Sequence, residues 1–157
     1  MARTILDING FWNKNVMLNG EEIAEYQANK LKIKGKTFEI KLNGIVLAKE
    51  AKMTDEKGSF VCSVSVETSK NGYWPFKKEY FVVNINGRQL ISDAFIVPPK
   101  EEIILREAKK GEGELLLKLF SYPLVGEIRF DDKFITKNEV LEIAFTLYVL
   151  TTERYVN

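Results

Sequence analysis

The chain has 157 residues, 45% hydrophobic and 29% charged, with 23 Lys and Arg against 22 Asp and Glu, one cysteine and no histidine. That length and balance fit one domain able to enclose its own core and exclude a disordered chain. A net charge of +1 supplies no global field to gather nucleic acid, so no specific nucleic-acid binding is expected.

Residues 1–10 lack the apolar stretch and small-residue cleavage site of a secretory signal, so a cytoplasmic setting is expected, with or without a peripheral membrane contact. Asn-Gly occurs five times, at Asn9-Gly10, Asn19-Gly20, Asn43-Gly44, Asn71-Gly72 and Asn86-Gly87. The dipeptide readily takes the two positive φ angles of a type I′ turn, whose twist matches the strands beside it, so hairpins should dominate. Three segments repeat the order strand, Asn-Gly, strand: Val16 to Glu25, Phe38 to Lys49 and Tyr80 to Ile91. Their spacing is irregular, which predicts a meander of hairpins and not a solenoid.

Around Asn43-Gly44, Phe38, Ile40 and Leu42 alternate with polar residues on one side and Ile45 to Glu50 leads away on the other, predicting a tight hairpin. Next, Phe60, Cys62, Val64 and Val66 share one face of a strand and Ser63, Ser65 and Glu67 the other, which places the first set in the core and the second in water. Cys62 is then an inert buried thiol. Tyr80 to Ile85 and Arg88 to Val97 flank Asn86-Gly87 as a second hairpin, and Pro98-Pro99 ends pairing because neither residue can donate to a ladder. Ile103 to Arg106 and Leu115 to Phe120 flank Gly111-Glu-Gly113 as a third, and Gly126 to Phe130 adds a short strand.

Thr136-Lys-Asn-Glu139 has the form of a capping box, and residues 139–154 allow about four helical turns. Apolar residues from Val140 to Leu150 cover nearly every side, leaving Glu142 and Thr146 as a narrow polar seam, so such a helix must be surrounded by protein. The stretch Phe145 to Thr152 is also rich in β-formers, and a strand buried on both faces is the competing assignment. Glu142 either lines a cavity with a raised pKa or faces the helix start and accepts a hydrogen bond, the second being the more ordinary.

Strand-turn-strand units at Asn19-Gly20, Asn43-Gly44 and Asn86-Gly87, followed by the apolar segment Glu139 to Thr152, resemble the tubby C-terminal fold of LURP-one-related and phospholipid-scramblase-like proteins. The resemblance covers most of the chain and implies a mostly β architecture, an antiparallel barrel of hairpins enclosing a hydrophobic C-terminal helix. Alternation yields about ten or eleven strands where that family has twelve. No run matches its phosphoinositide-binding basic pocket residue by residue, so headgroup recognition is implied by family likeness alone. Gly10-Phe-Trp12 is similar to the Gly-x-Trp signature of lipocalins, but a lipocalin helix lies outside its barrel and needs a polar face.

Without histidine the usual general base and the usual activator of Ser and Cys are missing, and with one cysteine zinc and iron–sulfur sites are excluded. No phosphate-binding loop, dinucleotide fingerprint or nucleophile elbow occurs. The carboxylate pairs Glu21-Glu22, Asp55-Glu56, Glu101-Glu102 and Asp131-Asp132 lie beside turn residues or lysines and read as solvated charges. A non-enzyme with no cofactor and no metal is expected. The segment Ser69 to Glu79 groups Tyr73, Trp74 and Phe76 with Lys70, Lys77 and Lys78, suited to a membrane interface or a protein partner. The plain alternative is that the aromatics cap one end of the barrel and the lysines solubilise a sheet edge. Three functions follow: a tubby-like module contacting anionic phospholipid or a protein, an assembly subunit oligomerising through sheet edges, or a lipocalin-like carrier of a small apolar ligand.

Overall fold

A computed structural model describes residues 3–9, 15–18, 21–27, 30–33, 35–44, 47–69, 78–97, 103–108, 115–118 and 126–156. Its strands are β1 (Arg3–Asn9), β2 (Asn15–Leu18), β3 (Glu21–Gln27), β4 (Lys30–Ile33), β5 (Lys36–Asn43), β6 (Glu50–Thr54) and β7 (Phe60–Thr68). There follow β8 (Lys78–Ile85), β9 (Arg88–Ser92), β10 (Phe95–Ile96), β11 (Ile103–Glu107), β12 (Leu115–Lys118) and β13 (Gly126–Asp131), then helix α1 (Lys137–Thr151) and a π-helical turn, Thr152–Val156. Every ladder is antiparallel. The protein is mostly antiparallel β with one C-terminal helix, and the terminal apolar segment is that helix and not a buried strand.

The strand order is β10-β8-β7-β6-β5-β4-β3-β2-β1-β13-β12-β11-β9, with a further ladder between β8 and β9. Stepping from neighbour to neighbour therefore returns to β8, and the order of pairings is cyclic through twelve strands, with β10 appended to β8. The cycle is uneven, and it does not amount to a uniformly sealed barrel. β7 and β8 share seven residue pairs, whereas β1 and β2 share two, Ile8↔Leu18 and Asn9↔Met17.

Alternation builds the inner face. Along β8, Glu79, Phe81, Val83 and Ile85 are buried while the residues between them are half-buried. Ala51 and Met53 on β6, Cys62, Val64 and Val66 on β7, and Ile128 and Phe130 on β13 join the same core as Val140, Ile143, Phe145, Leu147 and Leu150 of α1. The helix packs on β5, β6 and β7. All of its residues from Glu139 to Thr151 except Glu142 are buried. Removing an apolar rod of this kind from water supplies most of the driving force for folding.

Two expected features differ. The Asn43-Gly44 turn is not tight: β5 ends at Asn43, β6 begins at Glu50, and Lys49 N–H donates to Asn43 O at 2.7 Å to close a longer connection. The carbonyl of Leu47 folds back over Gly44, so the chain cannot resume pairing at Ile45. Phe60, expected inside, is 49% exposed. Met53 pairs with Cys62 but Thr54 pairs with Phe60, so Val61 is an extra residue and the bulge turns Phe60 outward, where Lys52 Nζ lies 5.6 Å from its ring centre. Ser63, expected in water, is buried between its ladder partners Lys52 and Asn84, whose longer side chains flank it.

The Asn86-Gly87 hairpin is as expected, with φ of 47° and 73° at the two turn residues between Ile85 and Arg88. The expected strand Arg88 to Val97 is split. Ser92 Oγ accepts from Phe81 N–H at 2.8 Å and donates to Asp93 O at 3.0 Å, and there the chain leaves β9 before β10 rejoins β8. Asn9-Gly10 is described only at Asn9, while Asn19-Gly20, Asn71-Gly72, Pro98-Pro99 and Gly111-Glu-Gly113 lie outside the described residues.

Candidate functional site

The helix defines two ends of the sheet: a near end, where α1 starts beside the Asn86-Gly87 turn, and a far end, where it finishes beside the start of β8. At the near end Thr136 and Glu139 form the expected capping box, Glu139 N–H donating to Thr136 Oγ1 at 3.2 Å and Thr136 N–H to Glu139 Oε1 at 3.1 Å. The same carboxylate accepts from Asn86 Nδ2 and Arg88 Nη2, both at 2.9 Å. Arg88 Nη1 donates to Phe134 O at 2.6 Å, with the guanidinium 5.4 Å from the Phe134 ring centre. Burial alone would raise the Glu139 pKa, but donors from Asn86, the Thr136 backbone, Arg88 and the Thr136 hydroxyl outweigh it and hold the carboxyl below its usual range.

Along the seam, Thr146 Oγ1 donates to Glu142 O at 2.7 Å and lies 3.2 Å from Cys62 Sγ. Burial pushes the Cys62 thiol up to about 12, a hydrogen bond with Thr146 pulling down and the Glu142 charge pushing up. A thiol held that high is no nucleophile. The Glu142 carboxyl rises to about 6 through burial and then the negative charge of Glu139, with Lys36 opposing. Of the two readings of Glu142, the raised pKa is observed, and the residue accepting at the helix start is Glu139.

At the far end Arg154, on the π-turn, meets Glu79, on β8. Arg154 Nη2 donates to Glu79 Oε2 at 2.5 Å, Nε to Oε1 at 3.2 Å, and Nη1 to Ala48 O at 2.8 Å. The two side chains are 8% and 2% exposed, so this is a buried, forked ion pair. The sequence reading missed it. The available signal was Glu79 itself, which shares the inward face of β8 with Phe81, Val83 and Ile85 and therefore requires a partner.

Of the six expected contact residues, Lys78 is described; Lys70, Tyr73, Trp74, Phe76 and Lys77 lie outside the described residues. Lys78 is half-buried at the foot of the β7–β8 connection, its carbonyl accepting from Ser69 N–H at 2.9 Å. It pairs across the ladder with Ile96 on β10, which is 55% exposed, and Leu47, in the β5–β6 connection at the same end, is 49% exposed. These two exposed apolar residues flank the connection, and neither was singled out from sequence because each stands alone in its segment.

The acidic pairs play ordinary structural parts where described. Asp55 Oδ1 accepts from Lys57 and Ser59 N–H, both at 2.9 Å, Glu56 Oε1 accepts from Thr37 N–H at 2.8 Å, and Asp131 Oδ1 accepts from Lys133 N–H at 2.9 Å. Among the described residues no group of His, Cys, Asp and Glu is arranged to hold a metal ion, and no helix is long and apolar enough to cross a membrane. Comparison with protein-family models, with curated proteins and with solved structures finds no match to this chain.

Proposed function

We propose that the chain is a non-catalytic, tubby-like binding module that docks peripherally on the cytoplasmic face of a membrane. Its contact is the far end, around the β7–β8 connection with Tyr73, Trp74, Phe76, Lys70, Lys77 and Lys78. The observation that carries this reading is the placement of Leu47 and Ile96, two half-exposed apolar side chains on either side of that connection. Apolar side chains enter the headgroup region while neighbouring lysines meet anionic phosphates, and the two effects add. The cyclic order of pairings and the helix buried among the strands support the tubby-like part of the proposal. With β8 and β9 also paired, fewer edges are left for a second copy to join, so self-association ranks behind membrane docking. A core filled by α1 leaves little space for the carried apolar ligand of the lipocalin-like reading.

Vesicle flotation tests the proposal. The protein floats with phosphatidylcholine vesicles containing a phosphoinositide and sediments without it, and Trp74→Ala combined with Lys77→Ala and Lys78→Ala abolishes flotation. Equal flotation of the triple variant would remove this site. Indifference of the unmodified protein to anionic lipid would remove the lipid and leave a protein partner as the ligand.

A further inference from the structure

The helix is fastened to the sheet by two separate sets of charged contacts, one at each end, and they differ in what they join. At the near end Glu139, Asn86, Arg88 and Phe134 tie the helix start to one hairpin turn. At the far end the single side chain of Arg154 joins three segments: the C-terminal turn, the start of β8 through Glu79, and the connection before β6 through Ala48. The turn that presents it is π-helical, a wider winding that occurs mostly in single turns and frequently at functional positions.

Both sheet segments gripped by Arg154 hold the backbone closures of the far end. Glu79 follows Lys78, whose carbonyl receives Ser69 N–H at 2.9 Å and closes the β7–β8 connection. Ala48 precedes Lys49, whose carbonyl receives Val66 N–H at 2.8 Å and ties the β5–β6 connection to β7. Loss of the guanidinium leaves the Glu79 carboxylate, 2% exposed in its side chain, without its cation. Rehydrating it requires water to enter between these two connections.

We propose that the π-turn Thr152–Val156 is a latch: the Arg154–Glu79 pair holds the far end shut, and its release opens the connections 44–49 and 69–78 together while the near end stays folded. Opening of this kind is a local unit of unfolding with its own free energy, below that of the whole protein. The inference stands without the lipid reading, since it concerns how the far end moves and not what it touches.

Native-state amide hydrogen exchange on the full chain tests it, comparing Arg154→Ala and Arg154→Lys with the unmodified protein. In Arg154→Ala the Ser69 and Val66 amides exchange on the order of a hundredfold faster, the scale expected when one member of a buried pair is removed. The near-end amides of Ala108 and Val140, bonded to Gln89 O and Thr136 O, keep their rates. Arg154→Lys retains the charge but loses the fork, so the same two far-end amides speed up by a smaller factor. This variant carries the comparison if Arg154→Ala does not fold. A common acceleration of all four amides, or unchanged rates at Ser69 and Val66, overturns the latch.

Discussion

Arg88 and Glu139 meet at 2.9 Å, joining the first residue after a hairpin turn to the first turn of the helix 51 residues later. The carboxylate also completes the capping box, so one side chain both starts α1 and anchors it to β9. Glu139→Ala should therefore cost roughly 2–4 kcal/mol, a lost cap plus a half-buried arginine left without its anion. Glu139→Gln, which can still accept one hydrogen bond, should cost less. Urea denaturation of the three proteins measures the differences.

The neighbouring carboxyl acts in the opposite direction. Glu142 has its folded pKa raised to about 6 from an ordinary 4.5, so the folded state holds this proton more tightly than the unfolded chain. Its contribution favours folding below about pH 4.5 and is lost as pH rises through about 6. Glu139, held below its usual range, contributes stability above the unfolded value and loses it as pH falls. Relative to the unmodified protein, Glu142→Gln should gain up to about 1 kcal/mol at pH 7 after allowance for solvent screening, and nothing at pH 4. Thermal melts of both proteins across that range read the difference, and an equal shift at both pH values would contradict it.

Cys62 should label only when the protein opens. Its thiol is fully buried and raised to about 12, so a maleimide at pH 8 meets neither thiolate nor access. The labelling rate should rise with urea in step with unfolding. Rapid labelling in native buffer would contradict the packing of β7 on α1.

Two glycines should respond differently to alanine. A Cβ on Gly44 would lie 2.1 Å from Leu47 O and 2.9 Å from Lys49 N, both backbone atoms, whereas one on Gly87 meets nothing within 4 Å. Gly87→Ala then carries only the strain of its positive φ, about 1–2 kcal/mol, while Gly44→Ala should cost roughly 2–4 kcal/mol because the β5–β6 connection must move. Chemical denaturation ranks the two.

What was legible in the sequence was whatever local chemistry decides. Asn86-Gly87 took its turn because few other dipeptides tolerate two positive φ angles, and Thr136 with Glu139 marked the helix start because their side chains reach each other's backbone across one turn. The buried helix followed from apolar residues on all sides. Features set by distant partners were not legible. The loop at Gly44 depends on where Leu47 folds, the outward turn of Phe60 on one extra residue opposite β6, and the Arg154–Glu79 pair on residues 75 apart. Short strands such as Lys30–Ile33 and Phe95–Ile96 offer too few alternations to register. At the far end the aromatic and basic segment was visible as composition, but Leu47 and Ile96 join it only through the ladders.

The pairing of β1 with β13 has a consequence for how the chain is made. Arg3 sits opposite Asp131, so the first strand off the ribosome has no neighbour on that side until more than four-fifths of the sequence has been synthesised. The helix at the middle of the core emerges later still. Until then the inward faces of β5, β6 and β7 have nothing to close upon, and contacts so distant along the chain make for slow folding after release and a dependence on chaperones that shield bare apolar surface.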